Sequence, residues 1–63
     1  MRLSPREREI LQLIAEGKSA KQVAYLLSIS SKTVAFHKDN LKSKLGLRTT
    51  AELTKYALDE GLI

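Results

Sequence analysis

The sequence predicts an all-α fold, a compact domain of four helices containing a helix-turn-helix and no wing. Three observations carry that expectation. Four stretches repeat apolar residues at three-to-four spacing, and nothing alternates as a strand would. Each stretch opens on a serine or threonine able to cap a helix. Three of them close at a glycine, Gly17, Gly46 or Gly61, the residue that best accepts a left-handed helix end. A chain of 63 residues holds one domain, here residues 1–63. At that size it buries only about 60% of its unfolded surface. The core is therefore one small cluster, with no room for a deep substrate cavity.

The first helix is expected over residues 5–16. Ser4 caps it, Pro5 suits the first helical position, and Glu7 completes a capping box three residues after Ser4. Ile10, Leu11, Leu13 and Ile14 form its apolar face, and Arg6 and Arg8 its solvated one. The second helix spans about 20–27, with Ser19 and Gln22 as a second capping box and Val23, Ala24, Leu26 and Leu27 as its apolar face. Lys21 lies in its first turn, where a cation opposes the helix dipole. It is either an ordinary surface lysine or the partner of an anion such as phosphate. Ser28, Ile29 and Ser30 connect to the third helix, and Ile29 plugs the core. A turn of three to four residues between a short helix and a longer one is the helix-turn-helix signature, although the glycine often found in it is missing.

The third helix is expected over 31–45. Val34, Leu41 and Leu45 stack as one seam, with His37 and Lys38 at its edges. Lys32, Ala35, Phe36, Asp39 and Ser43 lie on the opposite side. From Lys32 to Arg48 there are five cations and the single acid Asp39, a charge of +4 that equals the net charge of the whole chain. Thr49 or Thr50 caps a fourth helix over about 50–60. There Leu53, Tyr56 and Ala57 face the core and Leu62-Ile63 tuck back, while Ala51, Thr54, Lys55 and Leu58 face outward. Leu58 on the wet side, with Ala51 and Thr54, makes a small candidate self-association patch.

These features exclude most function classes. With no cysteine there is no disulfide framework or thiolate metal site, which fits a reducing compartment. No apolar run approaches the ~20 residues of a membrane span. His37 is the only histidine, so neither a metal site nor a catalytic dyad is in view. No glycine-rich phosphate loop is present. The expectation is no enzyme, no cofactor and no membrane partner. A basic helix instead suits a polyanion.

The residues L-S-P-R-E-R-E-I-L-Q-L-I-A-E-G-K-S, K-Q-V-A-x-x-L-x-I-S-x-K-T-V-x-x-H, L-K-S-K-L-G-L-R and A-L-D-E-G-L-I together resemble the LuxR/GerE-type helix-turn-helix domain. That is the DNA-binding half of quorum-sensing regulators and of NarL/FixJ-class response regulators. Sigma-factor region 4, a promoter-element reader, matches less well. The resemblance covers Leu3 to Ile63 and implies a LuxR C-terminal effector-like fold of a bacterial transcription regulator. It implies double-stranded DNA as partner, with the third helix in the major groove, and a homodimer through the fourth, at Ala51, Thr54, Lys55 and Leu58. It further implies an N-terminal receiver or ligand-sensing domain in the full-length protein, RNA polymerase as a further partner, and a cytoplasmic, nucleoid-associated location. By position Glu7 is structural. Thr33, Lys21, and Lys38 or Lys42 meet phosphate, and Ala35, Phe36 and Asp39 read bases. The family often carries lysine or arginine at one or more of those three positions, so the resemblance does not carry over a known operator sequence.

The side chains have their own chemistry. Ala35 and Phe36 suit thymine C5-methyl groups. Asp39 either accepts from cytosine N4 or pairs with Lys42 or Lys38. Phe36 is either an exposed interface residue or partly buried against the second helix. Lys32, Lys38, Lys42 and Lys44 are phosphate candidates. A different reading makes the same face a protein-interaction surface built on Phe36, Leu58 and Asp39.

Overall fold

Four helices follow one another, α1 (Pro5–Ala15), α2 (Ala20–Leu27), α3 (Ser31–Leu45) and α4 (Thr50–Asp59). The structure, a computed structural model, describes residues 3–62, and no strand occurs among them. Ile63, expected to tuck back beside Leu62, lies outside the described residues. The first and last helices each stop one residue earlier than the sequence pattern suggests, with Glu16 and Glu60 as their C-caps.

The starts are chemical. Ser4, Ser19 and Thr49 each accept from the backbone N–H three residues on, at 3.1 Å, and Glu7, Gln22 and Glu52 reach back to the cap's own N–H at 2.8–2.9 Å. Ser30 accepts from the Thr33 N–H at 3.0 Å, but threonine cannot reach back, so α3 has a cap without a box. A cap of this kind is worth about 1 kcal/mol.

All four helices end on one device. A residue in the left-handed region is followed by an N–H that reaches the carbonyl five residues earlier, as in Lys18 to Leu13, Ile29 to Ala24, Leu47 to Lys42 and Leu62 to Ala57. Three of the left-handed residues are glycine. The fourth, Ser28 (φ 57°, ψ 43°), is the only non-glycine with positive φ among the described residues. The glycine missing from the helix-turn-helix turn is thus replaced by a serine held in a glycine's conformation, at a steric cost. Ser28→Gly is expected to stabilise the domain by about 0.5–1 kcal/mol, a Tm increase of about 2–8 °C at this size. A drop in Tm by calorimetry would mean the Ser28 side chain contributes more than its backbone costs.

The core holds Ile10, Leu11, Ile14, Val23, Ala24, Val34, Leu41, Leu53 and Ala57. Leu13, Leu27, Ile29, Leu45, Tyr56 and Leu62 pack around it. Helix α1 touches the other three helices, and α2 packs on α3. One expectation is corrected. Leu26 does not belong to the apolar face of α2, for it is 52% exposed. At 100° per residue Ala20, Val23, Ala24 and Leu27 share one side, and residue 26 falls with Lys21, Gln22 and Tyr25 on the other.

Candidate nucleic-acid interface

The third helix has two faces with different jobs. Val34 and Leu41 are fully buried in the core and Leu45 is half-buried. On the far side Lys32, Ala35, Phe36, Asp39, Asn40 and Ser43 are all exposed. A helix of 15 residues is about 22 Å long, comparable with the dimensions of the domain itself, 27 × 20 × 20 Å.

Phe36 stands out from this face, 62% exposed, so most of its ring is in solvent. Its ring meets the His37 ring edge-on, with centroids 6.0 Å apart. Asp39 lies 3.7 Å from Lys42, the pairing its i,i+3 spacing allows. That pair is exposed on the Asp39 side and screened by water, so it is weak and exchangeable. Lys21, Lys32 and Lys38 have no acidic partner within 4.0 Å among the described residues. Lys21 and Lys32 are exposed and Lys38 is half-buried with Lys42 on one edge of the stripe. At the start of α3 the Thr33 and Ser30 hydroxyls share one hydrogen bond of 2.9 Å. Two hydroxyls sharing one bond retain a free donor for an oxygen ligand.

Lys44 is the exception among the lysines. Its Nζ donates to Glu7 Oε1 at 2.8 Å, linking the end of α3 to the start of α1. Glu7 is nearly buried, and the same oxygen accepts the Ser4 N–H at 2.8 Å. Lys44, expected among the phosphate candidates, is therefore taken up by the scaffold, because a nearly buried carboxylate holds it more firmly than solvent does. The pairing spans 37 positions of sequence, which no local spacing reveals. The Lys44 ammonium, then the Ser4 N–H, hold the Glu7 carboxyl below its usual value. In Glu52 the N–H groups of Arg48 and Thr49 do the same. A carboxyl lowered in the folded state stabilises the fold above its unfolded value, about 4.3. That contribution vanishes as pH falls through the lowered folded value. Stability is expected to decline below about pH 4.5 and to decline less in Glu7→Gln, measured as denaturation midpoint against pH. Identical profiles for the two proteins would remove Glu7 from the account.

On α4, Ala51, Lys55 and Leu58 are exposed, Leu58 at 58%, while Thr54 is half-buried and donates its hydroxyl to the Thr50 carbonyl. Lys55 pairs with Asp59 at 3.2 Å. The sequence pattern gave no notice of Tyr25, 85% exposed on the outer face of α2. Its position four residues after Lys21, off the core period, is the signal that marks it.

With this geometry in place, comparison with known proteins decides the family. The profile described as bacterial regulatory proteins of the luxR family matches residues 1–57. The chain belongs to the luxR family. It is 54% identical over 61 residues to the transcriptional regulatory protein MctR of Rhizobium johnstonii, covering 97% of this chain and 28% of that protein. It is 49% identical over 61 residues, with the same two coverages, to the oxygen regulatory protein NreC of Staphylococcus aureus. The chain thus spans little more than a quarter of the length of the curated relatives it matches. As a luxR-family helix-turn-helix it is a DNA-binding domain of transcription regulators. No described helix of this luxR-family domain is long and apolar enough to cross a membrane.

Proposed function

We propose that this domain binds double-stranded DNA sequence-specifically, with α3 in the major groove. The observation that carries the reading is the division of the third helix. A central stripe of Ala35, Phe36 and Asp39 lacks any fixed charge partner stronger than Lys42, and cations flank it. Apolar Ala35 and Phe36 suit thymine methyl groups, and Asp39 suits cytosine N4 once Lys42 turns to a phosphate. Lys21, Lys32, Thr33, Lys38 and Lys42 position the helix on the backbone. Lys44 stays with Glu7.

On this reading a single domain binds weakly, and two copies act together through Ala51, Thr54, Lys55 and Leu58 of α4. Half-sites about 34 Å apart, one helical turn, would then be occupied together. A receiver domain outside these 63 residues, as expected of response regulators, would govern that pairing in the cytoplasm, and RNA polymerase would be the downstream partner.

The test compares two variants over a panel of duplexes. Lys42→Ala is expected to weaken all of them alike. Phe36→Ala is expected to weaken by about tenfold, or 1.4 kcal/mol, only those with a thymine in the position it reads. If both variants act identically, positioning and reading are not divided as proposed.

A further inference from the structure

Among the described residues four large apolar side chains are exposed, Tyr25, Leu26, Phe36 and Leu58. The proposed DNA contact uses Phe36 and the proposed pairing of two copies uses Leu58. Tyr25 and Leu26 are left, adjacent in sequence and together on the outer face of α2. They line a groove of about 500 Å³ with Lys18, Lys21 and Gln22. Leu26 is also one wall of a second, smaller groove of about 290 Å³ that runs onto α1 beside Leu13, Glu9 and Glu16. Leu26 therefore joins the two concavities into one strip whose apolar walls are Tyr25, Leu26, Leu13 and Leu27 and whose rim is polar. Large exposed apolar side chains rimmed by polar ones suit an interface.

The charges around the strip choose among occupants. Lys18 and Lys21 are exposed and have no acid within 4.0 Å among the described residues. No acidic residue lies in the first turn of α2, so the helix dipole adds to their positive field. The acids Glu9 and Glu16 line the second groove and not the first. A phosphate backbone would use the lysines and gain nothing from burying a tyrosine and a leucine. A peptide helix with aliphatic anchors and carboxylates uses both.

We propose that the outer face of α2 is a docking surface for an acidic amphipathic helix of a partner protein. An aliphatic side chain sits in the Tyr25–Leu26 groove, and carboxylates lie against Lys18 and Lys21. This is helix-in-groove recognition, with apolar anchors for affinity and charge for orientation. It leaves the Ala35, Phe36 and Asp39 stripe of α3 free, and the partner and DNA overlap only at Lys21. Lys21 is shared with the proposed phosphate contacts, so Lys18 is the charge to test.

The probes are helical peptides of about four turns with leucines at i and i+4 and glutamate, glutamine or lysine at the other exposed positions. Their binding to the 63-residue chain is followed by fluorescence anisotropy and by amide shifts. The glutamate series is expected to bind at least about tenfold more tightly than the lysine series and to shift the amides of α2. Lys18→Glu is expected to remove that preference, because only Lys21 then offsets the new carboxylate. The double variant Tyr25→Ser, Leu26→Gln is expected to lose the peptide while keeping its helical circular dichroism and its duplex affinity within about twofold. Equal binding of the three series, or shifts confined to α3, overturns the proposal. So does a loss of duplex affinity in the double variant, which assigns the patch to DNA. A concentration-dependent self-association that the double variant abolishes also overturns it, because it assigns the groove to a second copy. Failure of the parent chain to bind duplex would overturn the DNA reading alone and leave the α2 result intact.

Discussion

Changing Lys32, Lys38 and Lys42 together to glutamine is expected to leave the domain folded and to remove most of its affinity for duplex DNA. All three lie along the third helix, outside the fully buried core, and glutamine keeps much of the aliphatic stem that Lys38 and Lys42 pack against it. Each phosphate neutralised by a cation lowers the slope of log K against log salt by about 0.9. Losing three such contacts flattens the slope by about 3, which near 0.1 M salt is a loss of about 10²–10³-fold. The change also frees Asp39 from Lys42, 3.7 Å away, so a bare carboxylate faces the phosphates. Titration of one duplex at several salt concentrations reads both the slope and the affinity. An affinity within about threefold of the parent would mean that this face serves a protein partner. A steep loss with the salt slope unchanged would mean that the lysines act other than by neutralising phosphate.

The second large effect is on the fold. Leu41→Ala is expected to cost about 2–5 kcal/mol. A domain of this length has a total stability of about 3–9 kcal/mol, so the change removes a large share of it and at the low end of that range unfolds much of the protein at ordinary temperature. Leu41 is fully buried and lies on the inner seam of α3 with Val34, against a core to which α1, α2 and α4 contribute. There is no second layer to close over the cavity, and in a core this small each side chain is a large share of the total. Leu41→Met keeps the volume and is expected to cost less than about 1.5 kcal/mol. Thermal melts followed by circular dichroism compare the two. A cost below about 1 kcal/mol for Leu41→Ala would show that α3 is held mainly by its other contacts, such as Lys44 to Glu7. DNA affinity is expected to fall with the folded fraction and no further.

The two effects locate what the sequence disclosed early. The buried seam of Val34 and Leu41 follows from spacing along one helix, and so does the exposed stripe of Ala35, Phe36 and Asp39. Leu26 is apolar in character but outward by spacing, and in a helix of only eight residues the spacing, not the character, decides its place. Spacing went unused at Tyr25, which the same wheel places outward. Lys44 looked like its neighbours Lys38 and Lys42, since charge read along a chain does not say which cation a distant acid has claimed.

By itself the sequence determined the helices, their capped starts, three of their four left-handed ends and the face each helix buries. All of these depend on side chains within five residues of one another, so the local order of residues contains the whole interaction. The tertiary structure alone decided three things. Ser28 takes a left-handed backbone because α2 and α3 must meet at a tight turn. Lys44 leaves the basic face because folding brings Glu7, 37 positions away, to within 2.8 Å. Phe36 stays in solvent because no neighbouring helix covers it. Each is an outcome of where whole helices come to rest, and that is set by the shared core rather than by any one stretch of chain.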